Sequence, residues 1–260
     1  MLQSQKRVYL IEYLLKESNL QIEIPAEEVA QKQLLRALFN VRMPKKTSDE
    51  FLKIQDEYLQ EELRKKGITD IADLSPVSGD IYLWQGDITT LRCEGIVNAA
   101  NSQMLGCFCP GHGCIDNAIH TFAGIQLRRD CYEIMQKQGH DEPTGCAKIT
   151  KAYNLPCKYV LHTVGPIVYG KVTPKEEKSL ADCYRSCLAL ADENGLNGIA
   201  FCCISTGEFH FPDELAAKVA THTVADYKTR TKSKIKVIFN VFTEKDYEIY
   251  KRILNRNRTT

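Results

Sequence analysis

Cysteine, histidine and acidic side chains crowd one short stretch of the chain, NAANSQMLGCFCPGHGCIDNAIH, from Asn98 to His120. Cys107, His112 and Cys114 fall within eight residues, and two thiolates with an imidazole suit a borderline-soft ion such as Zn²⁺. Three donors leave a fourth position open, as in catalytic zinc sites, whereas structural sites usually close with four protein ligands. Pro110, Gly111 and Gly113 fit the tight bends that would turn these side chains inward. The competing reading makes each cysteine a small core hydrophobe, the commonest use of a free thiol. Cys109 stands in the same loop and could replace Cys107, complete a four-ligand set, or do neither. Asp116 could act as a base or bind a ribose hydroxyl, or it could be a first-turn acid complementing a helix dipole.

The elements that must position these groups are legible on either side. EGIVNAAN supplies a short apolar strand through Ile96 and Val97. From about Cys114 the spacing turns helical, with Ile115, Ile119 and Phe122 on one face. Strand, loop and helix in that order put the trio at a helix N-terminus, where free N–H groups and the dipole favour an anionic ligand. A second apolar strand leads into CCISTGEFHFP. There Ser205, Thr206 and Gly207 can present backbone N–H groups to phosphate oxygens, and Gly207 permits close approach. Phe209 could cover a sugar; read blandly, STG is an ordinary turn and Phe209 is core. His120 and His162 are expected to satisfy local hydrogen bonds rather than bind metal.

Composition bounds the whole. The chain has 260 residues, 43% of them hydrophobic, enough for a real core in one domain with an extension. Lys and Arg number 34 against 33 Asp and Glu, which gives no electrostatic reason to expect nucleic-acid or membrane-surface binding. The N-terminal VYLIEYLL is short and carries Glu12, a poor signal or membrane segment, so a cytoplasmic protein is expected. Eleven cysteines dispersed without a secretory signal read as reduced thiols plus a metal site rather than a disulfide framework.

Residues 1–75 read as an N-terminal helical extension and 76–260 as the main domain. In the extension, Pro25 is expected to open a helix with Val29, Leu34, Ala37, Leu38 and Val41 on its apolar face. Thr47 and Glu50 suggest a capping box before a second helix that buries Phe51, Tyr58 and Leu59. The extension shows no nucleophile, phosphate loop or ligand cluster, so packing on the main domain is its expected role, with partner docking the weaker alternative. Beyond it, IYLW, GIVN, AKITKAY, KYVLHTV, GIAFCCI and KVIFNVF are strand-like. Helices alternate with the later ones, one with Leu180, Cys183, Cys187, Leu188 and Ala191 on its face and one through DELAAKVATHTVADY. The mixture predicts an α/β fold, a three-layer α/β/α sandwich around a mixed, largely parallel sheet.

Four ordered motifs, QGDITTLRCEGIVNAAN, CIDNAIH, AKITKAYNLPCKYVLHTVGP and CISTGEFHFP, resemble the macrodomain family of ADP-ribose-binding modules over about Val77 to Tyr250. The Cys107, His112 and Cys114 loop looks like the zinc-containing branch often linked with sirtuin-type ADP-ribosyltransferases, and Cys109 departs from its pattern. The resemblance implies that Asp87 accepts from the adenine amino group beside the Ile88 N–H; the alternative is an Asp closing a turn after Gly86. It implies that Asn101 contacts the distal ribose or orients the attacking group with Asp116, while Asn98 shapes the loop backbone. It further implies that Ser205, Thr206, Gly207, Glu208 and Phe209 line the ligand. The expected function is zinc-dependent removal of ADP-ribose from a mono-ADP-ribosylated protein, on an Asp or Glu ester. A noncatalytic ADP-ribose reader, an O-acetyl-ADP-ribose deacetylase and a structural zinc protein are the alternatives.

Overall fold

The computed structural model describes residues 1–256. Three helices come first, α1 (Gln3–Glu17), α2 (Glu28–Val41) and α3 (Asp49–Lys66). Leu10, Ile11 and Leu14 of α1, Leu35, Leu38 and Phe39 of α2, and Phe51, Ile54, Tyr58 and Leu59 of α3 enclose a core of their own, which Ile125 also enters. Burying a side chain such as Phe51 contributes about 1.5–3 kcal/mol. The second helix departs from expectation. It starts at Glu28, three residues past Pro25, and Val29 is 68% exposed with Val41 also in solvent. The buried face runs through Leu35 and Phe39 because the adjoining side of the helix, carrying Arg36 and Asn40, is turned to the main domain. The cap of α3 is Ser48, whose Oγ accepts from the Phe51 N–H at 3.2 Å; the Thr47 hydroxyl instead donates to Tyr13 at 3.0 Å. Asp49 and Glu50 at its start and Arg64, Lys65 and Lys66 at its end match the helix dipole.

The main domain opens with β1 (Thr69–Asp70), β2 (Ile81–Gln85), β3 (Leu91–Arg92) and β4 (Gly95–Ala100). After a long loop follow α4 (Ile115–Ala123) and α5 (Ile125–Gln138), split at Gly124, whose φ of +98° breaks what reads in sequence as one helix. Then come β5 (Ala147–Lys151), β6 (Tyr159–Val164), α6 (Pro174–Glu193), β7 (Gly198–Phe201), α7 (Asp213–Thr231), β8 (Lys236–Val241) and α8 (Glu244–Arg256). All six strand-like runs join one sheet in the order β2-β8-β7-β4-β6-β5, parallel except for β5. β1 and β3 form a separate parallel pair. Helices α6, α7 and α8 pack on one another along one face, and α4 with α5 covers the other, with α2 against α4. This is the expected α/β/α sandwich with a helical extension. Leu180, Cys183, Cys187, Leu188 and Ala191 are all fully buried, as their helical spacing predicts.

The connections divide at the centre. From β4 the chain leaves toward β5 and β6, from β7 toward β8, and β4 and β7 are parallel neighbours. Their C-terminal loops therefore part in opposite directions and leave a crevice, the topological switch point where open α/β sheets take their ligands. Five parallel strands also end on this one edge of the sheet.

Candidate active site and metal centre

Along that edge the chemistry follows strand order. The turn after β2 carries Asp87. One Asp87 oxygen accepts from the Thr89 N–H at 2.9 Å and the Thr89 hydroxyl at 2.6 Å; the other meets the Lys66 ammonium of α3 at 2.5 Å. Burial alone would raise this carboxyl, yet Lys66 and Thr89 hold it below its ordinary value. The residue thus caps a turn, as its alternative reading proposed, and still lies at the strand end. Beside it the Gly86 N–H donates to the Val241 carbonyl at 3.0 Å, which brings Phe242, 75% exposed at the end of β8, next to the Asp87 turn. In sequence Phe242 is marked only as an aromatic just past an apolar strand. Lys66 carries no such mark, since only the fold brings it to Asp87.

After β7, Ser205 is buried with φ +66° and Thr206 donates to the Cys203 carbonyl at 3.1 Å. The space beside Gly207 is open, with no protein atom near the position a Cβ would take. Close fit at this turn comes instead at Gly165, where a Cβ would lie 2.1 Å from Ser205 Oγ. Phe209 is half-buried, and its carbonyl accepts from the Val168 N–H at 2.9 Å.

After β4, Cys107, His112 and Cys114 bring their donor atoms within 4.8 Å of one another, with Cys107 Sγ 3.6 Å from His112 Nδ1. Cys109 is exposed and outside the group, its carbonyl accepting from Asn117 Nδ2 at 3.0 Å. Burial pushes the Cys114 thiol up to about 12, the Asn117 N–H opposing and Cys107 adding to it. The other ring nitrogen of His112 lies 3.4 Å from Glu208 Oε1 on the second loop, the carboxylate partner that metal-bound imidazoles commonly have. Converging donors and this outer partner fit a zinc ion.

Asp116 is 5% exposed, and its Oδ1 accepts from Asn98 Nδ2 at 2.7 Å. Burial raises its carboxyl to about 6, against the pull of Asn98 and Arg128. The two asparagines stand in different surroundings, Asn98 within β4 and Asn101 just past its end. Asn101 shapes its own loop, donating to the Gly106 carbonyl at 3.1 Å and accepting from the Gln103 and Met104 N–H groups. Asn98, at a buried strand position, holds Asp116 and lies 3.2 Å from His162 Nδ1. His162 Nε2 is 2.9 Å from the Thr150 hydroxyl, as expected of a histidine serving local bonds. His120 differs: both ring nitrogens are buried without a hydrogen-bond partner among the described residues, Asp116 being 3.5 Å away.

The Macro domain family matches residues 97–220. A "Protein-ADP-ribose hydrolase" of Treponema medium is 58% identical over 98% of this chain and all of its own length. One of Staphylococcus aureus is 53% identical over 86% of this chain and 85% of its own. A Trypanosoma brucei macrodomain solved in complex with ADP-ribose superposes with a TM-score of 0.66 at 31% identity, covering 84% of this chain and 94% of the other. On the fold, the edge it builds and these likenesses, the chain belongs to the Macro domain family.

Proposed function

We propose that the protein is a zinc-dependent hydrolase that removes ADP-ribose from mono-ADP-ribosylated proteins, acting on esters of Asp or Glu side chains. The observation that carries the reading is the order of groups along one sheet edge. Asp87 follows β2, Phe242 follows β8, the Ser205 turn follows β7, and the Cys107–Cys114 loop follows β4, which neighbours β7. Three inter-strand spacings, about 14 Å, separate the first from the last, a span suited to a base, a diphosphate and a second sugar laid end to end. Relatives named as protein-ADP-ribose hydrolases support the same reading.

In this proposal Asp87 accepts from the adenine amino group, the Ile88 N–H donates to the ring, and Phe242 offers its face. A contact of this kind discriminates because a base with no amino group at that position would forfeit a hydrogen bond to a charged acceptor. Ser205, Thr206 and Gly207 cradle the diphosphate with Glu208 and Phe209 at the rim, and the N-terminus of α4 adds its dipole. Asn101 contacts the distal ribose through the loop it shapes. Cys107, His112 and Cys114 would hold zinc, which when bound supplies a positive charge that polarises a nearby oxygen. Asn98 occupies Asp116 Oδ1, so proton exchange with the substrate falls to Oδ2. Water is added across the ester, giving free ADP-ribose and the protein carboxylate. A carboxylate leaves readily at neutral pH, which suits a site with one acid–base carboxyl. A sirtuin-type ADP-ribosyltransferase system is the proposed source of the substrate.

The test is turnover of a defined ADP-ribosyl-carboxylate substrate alongside metal analysis of the same sample. Cys107→Ser, His112→Ala and Cys114→Ser, each checked for retained fold, should lower ADP-ribose release at least 100-fold, the scale on which a polarising group acts in a catalytic site. Unchanged turnover in all three would reject an essential metal. Tight ADP-ribose binding with no release by the wild type would instead make the protein a reader.

A further inference from the structure

Asn101 braces the first part of the loop, as far as Gly106, but the Cys107–Cys114 stretch that carries the three donors has little to hold it from within. Gly106 and Gly111 both adopt positive φ, and nothing packs where a Cβ would stand at Gly111 or Gly113. Among the described residues, one backbone hydrogen bond joins two residues of the Cys107–Cys114 stretch, from the His112 N–H to the Cys109 carbonyl at 3.2 Å. Such a segment has large conformational entropy to lose before three donors can meet one ion.

Its restraint comes from the N-terminal helical bundle, 71 to 81 residues away in sequence. Arg36 of α2 donates from Nη2 to the His112 carbonyl at 2.8 Å. The same guanidinium grips Asn117 Oδ1 from Nη2 at 2.8 Å and from Nε at 3.2 Å. Asn117 passes the restraint on, its Nδ2 donating to the Cys109 carbonyl at 3.0 Å and its N–H to Cys114 Sγ at 3.4 Å. One turn along α2, Asn40 Oδ1 accepts from the Gly111 N–H at 2.9 Å while its Nδ2 donates to Thr121 at 2.9 Å. Asn40 is 1% exposed and Asn117 fully buried, so neither bond is shared with bulk water. Arg128 of α5 completes the tie, joining the Leu105 carbonyl to the carbonyls of Phe39 and Arg42 at the end of α2. The backbone polar groups of Cys109, Gly111 and His112 are thus each fixed from outside the loop.

We infer that α2 is the scaffold of the metal loop, with Arg36 and Asn40 as positioning residues that set the Cys107, His112 and Cys114 donors before an ion arrives. The inference rests on the zinc reading above. It gives the extension a task beyond packing: ordering the loop in advance removes that cost from binding. Outer partners of metal ligands are worth about 10–100-fold in affinity, and Arg36 acts on the His112 carbonyl and on Asn117 at once.

The experiment titrates Zn²⁺ into the full-length protein against a chromophoric chelator, with thermal unfolding measured on the same samples. Wild type should bind one zinc, and Cys114→Ser should lose it. Arg36→Met should bind about 10–100-fold more weakly, Arg36→Lys between the two. Lys32→Met serves as the control: it lies on the same helix but pairs with Glu28 and Glu62, so it should bind as wild type. Equal affinity of Arg36→Met and wild type, or equal weakening in Lys32→Met, overturns the inference while leaving the zinc reading standing. If Arg36→Met does not fold, Arg36→Lys decides, since it must bind more weakly than Lys32→Met. Absence of zinc binding by the wild type, or full binding by Cys114→Ser, rejects the zinc reading and the scaffold with it.

Discussion

At Asp87 one carboxylate serves the fold and the proposed ligand together, because the Lys66 ammonium and Thr89 keep it ionised at a half-buried strand end. Asp87→Ala should weaken ADP-ribose binding by about 1.5–3 kcal/mol, the worth of a hydrogen bond to a charged group, as read by calorimetry. Lys66→Met should raise the Asp87 carboxyl toward its ordinary value, visible in an NMR titration of that side chain; an unmoved titration would show that Lys66 is not what holds it down. Residue types in sequence pointed to Asp116 and the Cys107, His112, Cys114 trio, and the family resemblance pointed to Asp87; the trio does converge. Sequence could not divide labour between Asn98 and Asn101. Which asparagine turns into the sheet depends on strand alternation, and Asn98 falls on the face that meets His162 and α4. Cys109 was equally undecidable until its exposure removed it from the cluster.

At the level of elements, the six strands of the main sheet and α6 were legible from their apolar runs and spacing, while α7, weakly amphipathic, was legible from its alanine-rich, helix-forming run. The α2 face was not. Its apolar residues are spread widely enough that Val29 and Leu34 compete with Leu35 and Phe39, and tertiary demand decides: Arg36 and Asn40 must reach the main domain. This correction is open to measurement. Leu35→Ala should cost about 2–5 kcal/mol of stability as a core truncation, whereas Val29→Ala, at an exposed position, should stay within about 0.5 kcal/mol. Denaturant unfolding distinguishes them, and comparable losses would restore the original face. Gly124 likewise splits a helical run that periodicity alone carries through.

Across the whole molecule, a buried polar cluster under α4 and α5 links stability to pH. His162 is enclosed by Asn98, Thr150, Cys131 and the His120 ring, and burial lowers its pKa from 6.5 to about 3. A folded-state value below the unfolded one means that the unfolded chain takes up the proton first as the medium acidifies. Stability from this residue is therefore intact above about pH 6.5 and is lost as pH falls toward 3. At pH 5 the loss is about 2 kcal/mol on the linkage scale. His162→Gln should flatten the acid limb of the stability profile measured by denaturant unfolding between pH 7 and 4.5. An unchanged slope would place the acid sensitivity elsewhere.

The polarity of the main sheet has a consequence for how the molecule can change. Because five strands point the same way, the proposed recognition groups stand on one rim, and among the described residues the opposite rim, where Gly95 and Gly198 begin their strands, carries none of them. Insertions, fusions and neutral drift belong on that idle rim, while the working rim admits change only where several loops can accommodate it together.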